Sequence, residues 1–337
     1  MLNVKGWVAA VLILNARIAV AAADAGDWRT LVRRAQEQEQ SGQYQAAYET
    51  LRAALRVAEQ SRLPKALAVS LNNAGSVALE LGLYRDAEQY LRQSIRQWEL
   101  AGDSGENRHR PMNNLAALHK AIGQTSKAEQ IYRQVLEIRL RILGPRHLDV
   151  ARVLNNIGSL EVVRGNLDRG EARPLEAMHI LIDGESDAPS GLDSVRANLL
   201  GSIQVNLSSG YLDREDYPRA TKMASSAVNV FETNFGLAHP KLIEPLIVLA
   251  KATLRMGDSA APTEALQRAE AIVKTALGET NPAMAPVLLA KAELLARQGN
   301  KGKAKLLRAQ AGQALARNRR QNLLDFTVDV ESFRPSR

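Results

Sequence analysis

The sequence predicts an all-α protein, a right-handed superhelical solenoid of about seven helix-turn-helix repeats. Three observations carry that prediction. Alanine and leucine number 51 and 46 of the 337 residues while aromatic residues make up only 4%. The chain is therefore rich in strong helix formers and poor in the rings that fill β-sandwiches and barrels. A turn of the form Gly, one residue, Tyr or similar, two residues, Ala recurs along it. Two stretches of helical length flank each recurrence, with apolar and small residues at i, i+4 and i+7. Leu71, Gly75 and Ala78 do this before one turn, and Ala87, Leu91 and Ser94 after it.

Taken in chain order, residues 1–23 read as a signal peptide. Lys5 precedes an apolar run from Val8 to Leu14, Asn15 and Arg17 close that run early, and the small residues Ala19, Ala21, Ala22 and Ala23 follow. The expectation is export, to a periplasm or the outside; if the segment is not a signal peptide the chain would be cytoplasmic. Repeats 1–4 occupy 24–182, with turn glycines at Gly42, Gly82, Gly123 and Gly165. Residues 183–194, with Gly184, Pro189 and Gly191, read as a flexible break. Repeats 5–7 occupy 195–317. The fifth lacks the glycine, turns at Asp216-Tyr217 and carries Asn206 to Glu215 as extra turn; the sixth and seventh turn at Gly257 and Gly299. The tail, 318–337, contains a short extended segment, since Phe326, Val328 and Val330 alternate with Thr327, Asp329 and Glu331.

Small residues at Gly75, Ala87, Ala116, Gly158 and Ala292 fall where the two helices of a hairpin come close, because a bulkier side chain there would hold the axes apart. A small residue on the first helix, Gly in the turn and Ala five residues later resemble the tetratricopeptide repeat. The turn-to-turn step of 40 to 42 residues resembles the longer-helix, kinesin light chain-like subtype found in bacterial proteins. Further segments of that subtype are Leu71-Asn72-Asn73-Ala74-Gly75, Asn113-Asn114-Leu115-Ala116-Ala117 and Leu154-Asn155-Asn156-Ile157-Gly158. So are the inter-repeat loops Leu143-Gly144-Pro145-Arg146-His147, Phe235-Gly236-Leu237-Ala238-His239-Pro240 and Leu277-Gly278-Glu279-Thr280-Asn281-Pro282. The resemblance spans residues 28 to 317 and implies a solenoid whose first helices line a concave groove.

On those first helices the pairs Asn72 and Asn73, Asn113 and Asn114, and Asn155 and Asn156 recur with a step of 41 to 42 residues. At about 100° per residue they lie off the packed stripe. An amide offers donor and acceptor together, so such a ladder either grips the backbone of an extended peptide, as the resemblance implies, or bonds neighbouring helices. Arg110 and Arg152, each three to four residues before a pair, either bias the groove toward an acidic segment or stand solvated at helix starts. Ile247-Val248 and Leu289-Ala290 replace the amides in repeats six and seven, which predicts an apolar or covered groove there.

The function expected from these features is a non-enzymatic scaffold that binds an extended segment of another protein, acidic in the case that Arg110 and Arg152 face the groove. Cysteine is absent, which excludes disulfide staples, thiolate metal sites and a Cys nucleophile. The five histidines show no metal-ligand spacing, and no phosphate-binding or nucleophile motif is present, so no catalytic residue, metal or cofactor is expected. His147 and His239 hold matching loop positions, which predicts a capping role. The net charge of +8 is concentrated in Arg297 to Arg320, where eight basic residues meet no acid. That end supports a second reading, an anion-binding module for nucleic acid or a membrane surface. The absence of aromatic stacking partners argues against nucleic acid, and a solvated capping helix accounts for the same charges.

Overall fold

The computed structural model of the protein describes residues 27–61, 63–103, 105–183, 193–258 and 260–321. The predicted signal peptide, most of the 183–194 break and the extended segment at Phe326 to Val330 lie outside the described residues. No described helix is long and apolar enough to cross a membrane.

Fourteen helices form seven hairpins. They are α1 (27–40) with α2 (Tyr44–Gln60), α3 (Pro64–Glu80) with α4 (Tyr84–Leu100), α5 (His109–Ala121) with α6 (Thr125–Leu143), α7 (Leu148–Val163) with α8 (Leu167–Asp183), α9 (Asp193–Asp213) with α10 (Tyr217–Phe235), α11 (Ile243–Arg255) with α12 (Ala261–Ile272), and α13 (Met284–Arg297) with α14 (Lys301–Gln321). A 3-10 turn, Pro240–Leu242, leads into α11, and α12 runs on as a π-helical turn, Val273–Leu277.

The small residues sit where the helices of a hairpin touch. A β-carbon on Gly75 would lie 2.7 Å from Leu91 Cγ, and one on Gly158 would overlap Pro174 in α8. Gly201 does the same against Phe231 in the fifth hairpin, although its sequence surroundings carry no turn signal to mark it. Each hairpin buries its apolar stripe against the next, so the core runs along the stack instead of gathering at one centre.

Two local expectations need correction. Asn206 to Asp213 is helix, not extra turn; only Arg214 to Asp216 turns, and the added residues lengthen α9 to 21. Asn206 and Ser208 read as turn formers because their side chains compete for nearby backbone groups. Here Asn206 is occupied by Asn155 of the neighbouring α7, and Ser208 Oγ bonds the Val205 carbonyl of its own helix at 2.7 Å, so neither breaks the helix. Residues 318–321 continue α14 instead of beginning the tail, and Asn318 is buried.

The coil closes on itself. The loop before α11 seats on the first turn, with His239 Nε2 3.4 Å from the Glu39 carbonyl and the Tyr44 and His239 rings edge to face at 6.1 Å. One step along, Asn281 and Pro282 seat on the second turn, Pro282 lying against Gly82. Asn318 Nδ2 donates to the Gly82 carbonyl at 3.2 Å. Hairpins five to seven thus rest on hairpins one and two, and the concave surface becomes a partly open channel.

Candidate functional site

The channel holds a cavity of about 690 Å³. Its wall is formed by first helices of successive hairpins, which places Glu80 at the end of α3, Lys120 on α5, Asn155 and Asn156 on α7, Asn206 and Ser209 on α9, and Glu244 and Lys251 on α11. Apolar side chains from the fifth and sixth hairpins, Val205, Phe231, Ile247 and Val248, fill the spaces between these polar groups. The mixture suits a chain segment, whose backbone needs hydrogen bonds and whose side chains differ in polarity.

Lys120 is a half-buried charge in that wall. Its ammonium donates to Ser159 Oγ at 2.8 Å. Burial pulls its pKa below the ordinary lysine value, and Glu244 and Glu80 oppose that without forming an ion pair within 4 Å. A second cavity, about 420 Å³, lies between α1, α7, α9 and α10 and shares Lys241 with the first; Gln36, Glu39, Tyr44, Arg152 and Asn198 line it. Burial raises the Glu39 carboxyl above its usual range, Lys241 opposing and Glu80 adding to the effect.

The asparagine ladder bonds largely to itself. Asn72 Nδ2 donates to Asn73 Oδ1 at 3.1 Å, and Asn114 Nδ2 reaches back to Asn72 Oδ1 at 3.1 Å. Asn113 Nδ2 lies 3.4 Å from Asn114 Oδ1, Asn156 Nδ2 donates to Asn113 Oδ1 at 3.1 Å, and Asn206 Nδ2 to Asn155 Oδ1 at 2.8 Å. The amides therefore tie α3, α5, α7 and α9 together, with Asn113 and Asn155 buried and the other four of the three pairs half-buried. Of the six, Asn155 and Asn156 also line the larger cavity. In these bonds Asn156 spends a donor and keeps its carbonyl oxygen. Asn206, the fourth step of the ladder, escaped the sequence pattern because it stands alone, without a paired amide.

Arg110 is exposed at the start of α5, while Arg152 lines the smaller cavity, 3.8 Å from Asp149. A further arginine carries no signal in the sequence pattern. Arg139 of α6 is only 3% exposed and donates to the Asp149 backbone carbonyl at 2.6 Å. Burial lowers its pKa to about 10, Asp149 opposing, with Arg152 and Arg110 adding to the lowering. Ile247 and Val248 are buried, as an apolar replacement for the amides predicts, but Leu289 is 45% exposed. His147 and His239 accept the backbone N–H two residues on, from Asp149 at 3.0 Å and Lys241 at 3.2 Å, and so cap the helices that follow. No group of His, Asp or Glu that could hold a metal occurs among the described residues.

Along α14, Ala304, Ala311 and Asn318 face inward at seven-residue intervals, and Lys301, Lys303, Lys305, Arg308, Arg317, Arg319 and Arg320 are all exposed. The helix is thus a basic outer wall that also fastens the closed coil.

The tetratricopeptide repeat family matches residues 29–99 and 107–169. Among solved structures, the chain is similar to a Rap protein complexed with Competence and Sporulation Factor. That match has a TM-score of 0.66 at 13% identity and covers 88% of this chain and 76% of that one. The apo form of RapI is similar with a TM-score of 0.55 at 12% identity, over 87% and 99% of the two chains. Kinesin light chain-like repeats from Podosopora anserina match at 19% identity over 63% and 96%, with a TM-score of 0.42. No curated protein matches the chain. With the matched segments repeating in register and the same hairpin architecture continuing to Gln321, the protein is an all-α repeat solenoid that is similar to tetratricopeptide repeat proteins.

Proposed function

We propose that this solenoid is a non-catalytic protein-interaction scaffold that takes an extended segment of another protein into its channel. The observation that supports this reading most is the 690 Å³ cavity, because its wall combines amides with spare hydrogen-bonding capacity, a half-buried ammonium and apolar surface. An extended strand could share backbone hydrogen bonds with Asn156 and Asn206 while an acidic side chain meets Lys120. Acidic character in the partner follows from that ammonium, which lacks a carboxylate within ion-pair distance.

The test is affinity for extended peptides selected from a random library against the whole chain. The double variant Asn156→Ala with Asn206→Ala should bind them about tenfold more weakly or worse, with helical content unchanged. Equal affinity in the double variant would remove the channel from the account. The exposed basic face of α14 supports the second reading, anion binding at a surface. A steep salt dependence abolished by neutralising Lys301, Lys303 and Lys305 would favour it over the channel.

A further inference from the structure

The smaller cavity is lined from both sides of the seam, and its opposite charges face one space without meeting. Glu39 near the end of α1 and Tyr44 at the start of α2 line it from the first hairpin, Arg152 of α7 from the fourth, and Phe235 and Lys241 from the end of α10 and the 3-10 turn beyond it. Lys241 acts on the Glu39 carboxyl, but no ion pair within 4 Å joins them. Arg152 has a single ion-pair partner among the described residues, Asp149 at 3.8 Å, which is beyond hydrogen-bond reach. Tyr44 is only 3% exposed, and its hydroxyl finds no hydrogen-bond partner among the described residues, yet that oxygen is not fully enclosed. The surface it keeps belongs to the cavity. Polar groups this deep normally bond within the protein, so a set left unspent around one space is matched to something that enters it.

A ligand that answers all four groups carries an anion for Arg152 and Lys241 and a hydrogen-bonding cation for Glu39 and Tyr44. A guanidinium fork matches a carboxylate in shape, and the three protons of an ammonium suit a carboxylate and a hydroxyl oxygen together. Phe235 supplies apolar wall for the remainder of the molecule. The volume of about 420 Å³ lies in the roughly 300–1,000 Å³ range of small-molecule pockets. We infer that this cavity is a binding site for a free α-amino acid, its carboxylate on Arg152 and Lys241 and its ammonium on Glu39 and Tyr44. A residue inside a polypeptide has neither charge on its backbone, and one at a terminus has only one, so this ligand differs from the segment proposed for the channel. Because the lining comes from both ends of the coil, the bound molecule also braces the closure beside the contact of His239 with Glu39.

Calorimetric titration of the twenty free amino acids into the full chain tests the site. At least one should bind saturably, one per chain, and raise the melting temperature as its concentration rises. Capping its carboxylate as the amide, or its ammonium by acetylation, should each weaken binding about tenfold or more. Glu39→Gln should weaken the free amino acid by a similar factor and remove the penalty for acetylation, and Arg152→Gln should do the same for the amide. Tyr44→Phe removes one oxygen and keeps the buried ring. It should weaken binding about threefold or more while circular dichroism stays as in the parent, which guards against a variant that fails to fold. Lys251→Gln, in the channel wall but outside this cavity, should leave the affinity unchanged. If none of the twenty binds saturably into the millimolar range, the cavity holds solvent and the site is overturned. Affinity that survives Glu39→Gln and Tyr44→Phe, or is equal for the capped and uncapped forms, overturns it too.

Discussion

The Asn281 side chain donates to the Glu80 carbonyl at 3.1 Å across 201 residues of chain. It is one of three such fastenings, the others being His239 at Glu39 and Asn318 at Gly82, and together they convert an open groove into a channel. Each joins a side chain of the rear hairpins to a backbone carbonyl at or beside a turn of the front ones. The seam therefore depends on turn geometry more than on the identity of the turn residues' side chains.

Gly82 is where that dependence is most exposed. Its φ of +72° favours glycine, and a β-carbon there would overlap Pro282. Gly123 has a similar φ of +81° but faces open space. Gly82→Ala and Gly123→Ala should both lose about 1–2 kcal/mol for the left-handed backbone. Only Gly82→Ala should also increase the radius of gyration measured by small-angle scattering. Equal dimensions for the two variants would show that the seam yields without opening.

The ladder predicts a graded loss of stability. Asn114→Ala removes the donor to Asn72 and the acceptor facing Asn113, so about 1–3 kcal/mol should disappear from the urea-unfolding free energy. Asn73 holds a single ladder bond at its end, and Asn73→Ala should cost about 0.5–1.5 kcal/mol. A reversed order would place the stabilising amides elsewhere.

Acid should loosen the seam. Burial, assisted by Lys241 and opposed by the bond to the Glu39 carbonyl, holds His239 at a pKa of about 4, and burial with Arg92 and Lys127 holds His119 at about 4 as well. Both imidazoles are neutral in the folded chain and take up protons more readily when it unfolds. Their contribution is present above the ordinary histidine value near 6.5 and is lost as pH falls from there toward 4. The melting temperature should drop over that interval, and His239→Gln should flatten the drop. A slope unchanged by His239→Gln would assign the acid sensitivity to other groups.

The fifth turn offers a stabilising substitution. Glu215 sits at a φ of 62°, where the other six turns use glycine. Glu215→Gly should raise stability by about 1 kcal/mol, read as a higher urea midpoint. The opposite effect is expected at Gly201, where Gly201→Ala drives a methyl group into Phe231 and should cost about 1–3 kcal/mol.

These residues also mark how far the sequence could be read. Gly42, Gly82 and Gly123 announced the turns because a left-handed residue before a helix is a local requirement, and local requirements leave local patterns. The asparagine pairs were visible for the same reason, through their period. Their hydrogen bonds to one another were not, because a period shows which residues share a face and not what that face touches. Glu215 meets the left-handed requirement without a glycine, so the fifth turn is marked in the sequence only by Asp216-Tyr217 and reads as beginning too early, at Asn206. Arg139 resembled any arginine on an amphipathic helix, and only the approach of α7 buries it. The contacts of His239, Asn281 and Asn318 across 200 residues or more arise from curvature accumulated over the hairpins, to which every unit adds a little and no unit carries a signal.

The seam alters what kind of object this array is. Linear stacks of repeats fray from their ends, since terminal units lack one neighbour. Here the opening unit and the closing ones are neighbours of each other, so the stack behaves as a loop in which damage anywhere strains the join. Cooperativity should follow: shortening the protein at either side would expose the lumen and weaken the opposite side, and unfolding would tend toward a single event instead of a progressive unzipping.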